Sequence, residues 1–155
     1  MLYAILCYHD EDVTGSWTRE QDAAVMKKLA VVQDRLKQQG RLGPVARLLP
    51  TTAATTLRKD DPPLVIDGPY AETKEQLLGF YVIDCADLEA ALDVAKDLAK
   101  ANPGGAYEVR PLRLFHAGSL GVAMDLGKAN PGGAYEVRPL RLFAPGSLAP
   151  EAMSG

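Results

Sequence analysis

Apolar residues follow four short runs along the chain, and two of these runs predict strands that are covered on both faces. LYAILCY (Leu2–Tyr8) and GFYVID (Gly79–Asp84) show no alternation of apolar and polar residues, which is typical of a strand buried on both sides. The other strand candidates are VARLL, after a turn predicted at Gly43–Pro44, and AYEVRPLRLF at 106–115. Pro111 predicts an edge position for this last strand, because proline cannot donate a ladder hydrogen bond.

Two stretches between these runs have helical periodicity. The first predicted helix begins after Thr18, since Thr18 and Gln21 have the spacing of a capping box. Apolar residues then recur at helical intervals, and Gly40 is expected to end the helix. Asp87 is expected to cap a second helix with one apolar stripe, which NPGG ends. Between the two helices, TTLRK and LVI predict a small hairpin joined by KDDPP.

The elements therefore follow the order β, α, β, a small hairpin, β, α, β. This βαββαβ order predicts an α+β, ferredoxin-like fold with an antiparallel sheet and both helices on one face. The strands are apolar on both faces, so the other face of the sheet needs a cover, and a second subunit is the economical one. We therefore expect a homodimer or higher homo-oligomer with two sheets packed face to face.

The chain also repeats one of its own segments. Residues 94–120 match residues 122–148 at an offset of 28, and KANPGGAYEVRPLRLF occurs twice without change. We expect a domain at 1–115 and a C-terminal extension at 116–155. The first copy is expected to fill the native strand position, because use of the second copy extrudes a long loop. The second copy is expected to add a strand at an open edge, to exchange into a partner subunit, or to form a disordered tail.

Composition excludes several classes of protein. A net charge of −3 and a pI near 5.4 give no basic surface for nucleic acid, and no apolar run reaches membrane-spanning length. A cytoplasmic protein with neither a nucleic-acid nor a membrane partner is expected. Cys7 and Cys85 lie in strand-like runs, which favours buried free thiols over a disulfide or metal pair. The histidines and cysteines lack metal-ligand spacing and no nucleotide-binding motif occurs, so neither a metal nor a cofactor is expected.

The densest polar cluster is DGPYAETKE (Asp67–Glu75), between two strands. Asp-Gly-Pro is ordinary turn chemistry, so the cluster is either a plain loop or a loop that lines a site at strand ends. Glu72 and Lys74 either bind a polar substrate or pair with each other in solvent.

DGPYAETKEQLLGFYVIDCADLEAAL, followed by GGAYEVRPL, resembles the YCII-related or DGPF family, whose signature is DGPF-AETKE-Q-GGFY. The resemblance runs from the N-terminal YAILCYHDE to about Phe115, with Tyr70 in place of the usual Phe and Leu78 in place of a usual Gly. It implies a bacterial protein with ferredoxin-like protomers in a dimeric α/β barrel. The activity of the family is largely undefined. Some relatives carry out dehydrohalogenation, and many members are encoded near extracytoplasmic-function sigma factors.

His9 ends the first strand and is followed by three acidic residues. The residues alone allow either a surface histidine in an acidic loop or a general base. The resemblance favours the general base, since a His/Asp pair in a cleft has been proposed as the active site of YCII relatives. His9 and Asp67 are thus the candidate acid–base pair, for elimination or hydrolysis on a small molecule. The candidate substrate-binding residues are Tyr70, Glu72, Lys74 and Arg110.

Two further residues leave alternatives open. Arg110 either holds a carboxylate or phosphate or forms an edge salt bridge with Glu108. His116 is the weakest candidate, because its counterpart in the second copy is Ala144. The alternative function is a non-catalytic ligand-binding or regulatory dimer associated with sigma-factor signalling. A purely structural dimer leaves the polar loop unexplained.

Overall fold

The structure is a computed structural model that describes residues 1–116 and 133–148. The helices are α1 (Glu11–Gly15), α2 (Arg19–Gln38) and α3 (Leu88–Ala101), with one short 3-10 turn at Thr51–Ala53. The strands are β1 (Leu2–His9), β2 (Leu42–Leu48), β3 (Thr55–Arg58), β4 (Leu64–Asp67), β5 (Gln76–Asp84), β6 (Ala106–Pro111), β7 (Ala134–Val137) and β8 (Leu140–Ala144).

Two antiparallel sheets organise these strands. The larger sheet has the order β6-β1-β5-β2-β8, and the smaller sheet has the order β4-β3-β7. In the part of this order that runs β6-β1-β5-β2, β1 lies between β6 and β5, and β2 lies on the far side of β5. This is the strand order of a ferredoxin-like fold, and the α+β prediction is confirmed.

The local signals that begin and end the helices act as predicted. Thr18 Oγ1 accepts a hydrogen bond from Gln21 N at 3.1 Å, and Thr18 N donates to Gln21 Oε1 at 2.9 Å, so the capping box is complete. Gly40 follows α2 with φ of 66°, the left-handed conformation that ends many helices. The Asp87 carboxylate caps α3 by accepting from Ala90 N at 2.8 Å.

The predicted turn at Gly43–Pro44 is wrong, because both residues lie within β2. The pairing of β2 with β5 is irregular between Leu42 and Val45, and such an irregularity accommodates a residue that lacks an N–H. A Cβ on Gly43 would lie 3.0 Å from the Cβ of Val82. The absence of a side chain therefore permits this close approach.

The last strand of the first copy is shorter than predicted. β6 ends at Pro111 rather than at Phe115, and the final bond beyond it runs from Leu112 N to Leu2 O at 2.9 Å. Because β1 begins at Leu2, no partner strand extends farther. The segment after His9, predicted only to break the strand pattern, contains the short helix α1.

The hydrophobic core lies between one face of the larger sheet and the helices α2 and α3. Its most completely buried side chains are Ile5 on β1, Ile83 on β5, Leu36 on α2 and Leu98 on α3. Each such burial contributes roughly 1.5–3 kcal/mol. Within residues 1–116 and 133–148, no helix is both long and apolar enough to cross a membrane.

The two copies of the repeat lie at different edges of the sheets. AYEV of the first copy forms most of β6 beside β1, whereas AYEV of the second copy forms β7 beside β3. LRLF of the second copy continues as β8 beside β2. The earlier part of the second copy, residues 122–132, lies outside the described residues.

Candidate functional site

A cavity of about 80 Å³ lies between α2 and the strands of the larger sheet. This volume exceeds what a single water needs, so the cavity has room for several waters or a small molecule. Its polar lining comes from elements far apart along the chain: the end of β1, the start and middle of α2, β2, and the turn after α3. The lining residues used below are His9, Trp17, Asp22, Arg47, Asn102, Gly104 and Tyr107. We call this space the His9 cavity.

His9 is the last residue of β1, and its imidazole packs edge to face against Trp17, with the ring centroids 6.3 Å apart. Its Nδ1 atom is buried and has no hydrogen-bond partner. A Cβ built on Gly104 would lie 2.6 Å from Nε2 of the same ring. Gly104 has φ of +99°, so the turn after α3 both requires a glycine and leaves room for the imidazole.

Asn102, directly after α3, supplies the second unpaired polar atom of the cavity. Its Oδ1 is buried without a partner. Within the described part of the chain, His9 Nδ1 and Asn102 Oδ1 are the two buried side-chain atoms left without a partner, and both residues line the same cavity. Buried polar groups are almost always paired. Two residues with unpaired buried atoms around one space mark the His9 cavity as the candidate ligand site.

Asp22 and Arg47 place an ion pair in the wall of the His9 cavity. The Arg47 guanidinium contacts both carboxylate oxygens of Asp22, at 2.7 and 3.3 Å, and both side chains are about three-quarters buried. Arg141 of the second copy lies 3.5 Å from the same carboxylate. The hydrogen bond from Arg47 lowers the pKa of Asp22 below its ordinary value. Asp22 is therefore ionised near neutral pH and is not a proton donor there.

Burial keeps three other groups around the cavity protonated. It raises the pKa of the Cys7 thiol to about 12, so this thiol is not a nucleophile near neutral pH. Burial likewise raises the pKa of Tyr107 to about 12 and that of Tyr81 above its usual range. The thiol and the two phenols therefore remain neutral near neutral pH.

A second, larger cleft of about 450 Å³ lies beside the DGPY loop. Pro69, Tyr70 and Thr73 form the loop side of this cleft, and Glu136 and Arg138 of the second copy form the opposite side. Glu136 Oε2 accepts a hydrogen bond from Tyr70 N at 2.9 Å. The second copy therefore contacts the polar loop directly.

Arg138 occupies a buried polar socket at this cleft, and its side chain is only 5% exposed. The guanidinium donates to Leu77 O and to Leu49 O, the latter at 3.3 Å. It also pairs with Glu136 at 2.8 Å and with Glu11 at 3.7 Å. We call Glu11, Leu49 O and Leu77 O the Arg138 socket.

The Glu11 carboxylate is held in place independently of Arg138. Thr51 donates to it from its backbone N at 2.8 Å and from its hydroxyl at 2.6 Å, and Glu11 N donates to Gln76 Oε1 at 3.1 Å. The acidic side of the socket is therefore built by the first domain alone.

The structure separates the residues predicted from the sequence as an acid–base pair. His9 lines the His9 cavity. Asp67 is exposed at the end of β4 and lines neither that cavity nor the larger cleft. The carboxylate that shares a cavity with His9 is Asp22.

The predicted substrate-binding residues are also dispersed. Tyr70 lines the larger cleft, and its ring lies 5.4 Å from the Arg58 guanidinium. Glu72 and Lys74 are exposed and line neither space. Arg110 is 68% exposed on β6 and lies 3.5 Å from Glu108, which is the edge salt bridge of the alternative interpretation.

Asp22, Arg47 and Asn102 are not predicted as site residues by the sequence pattern. The position of Arg47 could have been inferred from the sequence, because it lies two residues after Val45 on one strand. Residues two apart on a strand share a face, so this charged residue lies on the same face as a core residue. Asn102 belongs to NPGG, which was interpreted as a turn alone. No group of three or more potential metal ligands occurs among residues 1–116 and 133–148.

Comparison with known proteins gives two findings. A family model described as a YCII-related domain matches residues 1–116. A protein of Rhizobium meliloti (strain 1021), named only as uncharacterized, is 61% identical over 122 residues, which are 77% of this chain and 98% of the relative. The relative is therefore too short to match the whole of this chain.

Proposed function

This chain belongs to the YCII-related domain family, and we propose that it binds a small polar molecule in the His9 cavity and transfers a proton to or from it. The observation that carries this proposal is that His9 and Asn102, whose Nδ1 and Oδ1 atoms are buried and unpaired, line one cavity. The proposed ligand has a hydroxyl or amide group that hydrogen bonds to one or both of these atoms. An unpaired buried polar atom costs about 1–3 kcal/mol, so such a ligand gains affinity from this pairing.

The reaction class that fits this arrangement is general acid–base chemistry by His9. In an elimination, the imidazole takes a proton from the carbon adjacent to the one that bears the leaving group; the electron pair of that C–H bond forms the double bond, and the leaving group departs with the electron pair of its own bond. In a hydrolysis, the imidazole takes the proton of the attacking water. The Asp22–Arg47 ion pair offers charged groups to a polar substrate, and Trp17 packs against the imidazole ring.

A non-catalytic ligand-binding or regulatory module is the second candidate, and one observation favours it. A catalytic histidine is commonly oriented by a carboxylate on its second nitrogen. Here Nδ1 of His9 has no such partner, Asp67 lies elsewhere, and the Asp22 carboxylate is bonded to Arg47. The cavity can therefore bind a ligand without an oriented catalytic base.

The proposed assembly is a homodimer formed through the face of the larger sheet that the helices leave open. Leu6 and Phe80 are cross-strand partners on this face and remain half-buried in the single chain. In the proposed dimer, the partner's sheet covers what remains accessible of these two side chains. A dimer in sedimentation at micromolar concentration is expected, and a monomer contradicts it.

The experiment is a thermal-shift screen of small hydroxylated, amide-bearing and halogenated compounds against the full chain. Compounds that raise the Tm are retested with His9→Gln and Asn102→Ala, and with His116→Gln as a matched control outside the cavity. We expect the shift to be lost in the first two variants and kept in the control. Equal shifts in all variants refute the site.

Turnover decides between the two candidate functions. Each binding compound is incubated with the wild-type chain and followed by proton NMR. Product formation that disappears in His9→Gln supports proton transfer by His9. Binding that depends on His9 without any product supports the ligand-binding module.

A further inference from the structure

The edges of β2 and β3 form a groove that takes up an extended segment. Along β3, Thr55–Arg58 pair with Ala134–Val137, and along β2, Val45–Leu48 pair with Leu140–Ala144. Leu49 N donates to Pro139 O at 3.0 Å and so continues the bonding between the two strands. Main-chain bonding of this kind is the mode by which an exposed sheet edge binds an extended peptide.

The Arg138 socket gives this groove selectivity that main-chain bonds alone cannot supply. The buried guanidinium meets two carbonyl oxygens and the Glu11 carboxylate at one point of the groove. A segment shifted by one residue presents a different side chain there and leaves Glu11 without its cation. The groove therefore recognises an arginine followed by proline and a short apolar strand.

The recognised segment is joined to the domain only through residues 117–132. The contacts just described do not depend on which chain carries the segment. A connection of that length reaches at most about 55 Å, which allows docking on the same chain or on a neighbour. The docked segment exposes Val137, Leu142 and Phe143, and this exposure is the same whichever chain carries the segment.

We propose that the β2–β3 groove is a docking site for residues 133–148 of a second copy of this chain, so that two chains exchange these segments. In the exchanged form, Glu136 and Arg138 of each chain complete the cleft beside the DGPY loop of the other. The contacts within and between chains are the same, so the ratio of the two forms depends on protein concentration. The two forms are comparably populated when the protein concentration reaches the effective concentration of a tethered segment, which is on the order of millimolar.

Disulfide trapping tests this exchange. Ala46 and Phe143 face each other across β2 and β8, a separation compatible with a disulfide. A full-length chain with Ala46→Cys and a full-length chain with Phe143→Cys are mixed, unfolded in urea, refolded together and oxidised. We expect a disulfide-linked heterodimer whose yield rises roughly tenfold when the refolding concentration rises from about 10 to about 100 μM.

The repeat supplies a matched control. Phe115 is the counterpart of Phe143 in the first copy, and the chain with Phe115→Cys is expected to form no heterodimer with the Ala46→Cys chain. The double variant Ala46→Cys/Phe143→Cys checks the geometry by closing a disulfide within one chain. If it closes and the mixture yields no heterodimer at any concentration, exchange is refuted. If it does not close, docking of β8 on β2 is itself refuted.

Discussion

Replacement of Arg138 by alanine tests how much the second copy contributes to the stability of the fold. The variant removes a guanidinium that is 5% exposed and bonded to two carbonyl oxygens and two carboxylates. Glu11 keeps its bonds from Thr51, but its charge remains mostly buried without a cation. Loss of one partner from a buried ion pair is strongly destabilising because the other charge remains uncompensated.

The magnitude follows from the same contacts. Removing one partner of a buried pair costs about 3–5 kcal/mol, and hydrogen bonds to charged groups contribute about 1.5–3 kcal/mol each. The loss has an upper limit, because the second copy can detach while the rest of the domain stays folded. We therefore expect Arg138→Ala to lower the free energy of unfolding by about 3 kcal/mol, or by the docking free energy of the segment if that is smaller.

Arg110→Ala is the matched control, because Arg110 has the same sequence neighbours in the first copy. Arg110 is 68% exposed, and loss of an exposed ion pair changes stability by less than about 1 kcal/mol. Urea unfolding followed by circular dichroism measures both variants. Hydrogen exchange at the β2 amides distinguishes detachment of β8 from global unfolding. Equal stability of the two variants, with unchanged exchange in β2, would refute the role assigned to the Arg138 socket.

Three further predictions concern the His9 cavity. The pKa of Asp22 is lowered in the folded chain. The stability that its carboxylate contributes is therefore present above about pH 4 and is lost as the pH falls through the folded pKa. Asp22→Asn should accordingly make the urea midpoint decline less steeply below about pH 4. Gly104→Ala and Gly68→Ala both place alanine at positive φ, which costs about 1–2 kcal/mol, and Gly104→Ala should cost more because its Cβ also meets the His9 ring. Only Gly104→Ala should shift the NMR signals of the His9 ring, because only there does the new Cβ meet the imidazole. Burial raises the pKa of Cys7 to about 12. A thiol reagent at pH 8 should therefore modify Cys7 at least about a hundredfold more slowly in the folded chain than in urea. Equal modification rates in the two conditions would contradict this prediction.

Much of the fold follows from signals that act over a few residues. The capping box at Thr18, the cap at Asp87 and the stop at Gly40 depend on neighbouring atoms, so the sequence predicts them directly. The β, α, β, hairpin, β, α, β order and the edge position of Pro111 also follow from local patterns. Gly43–Pro44 was misassigned because a turn and a strand irregularity favour the same residues.

The His9 cavity was only partly predictable. The resemblance to the YCII-related family made His9 a candidate base, whereas its position at the end of a strand beside acidic residues also fitted a surface histidine. No spacing along the chain indicated that Asp22, Arg47 and Asn102 lie around the same space, since each comes from a different element. Asp67 was chosen from the polar loop, and the geometry of the small sheet places it outside both cavities.

The sequence by itself determined the family, the ferredoxin-like order of elements and the presence of two copies of one segment. It could not assign different roles to those copies, because identical residues have identical local propensities. Only the tertiary structure decided that Arg110 is exposed on one sheet edge while Arg138 is buried against Glu11 at another. The physical reason is that burial and charge pairing depend on which groups the rest of the fold brings to each edge, and those groups are distant in sequence.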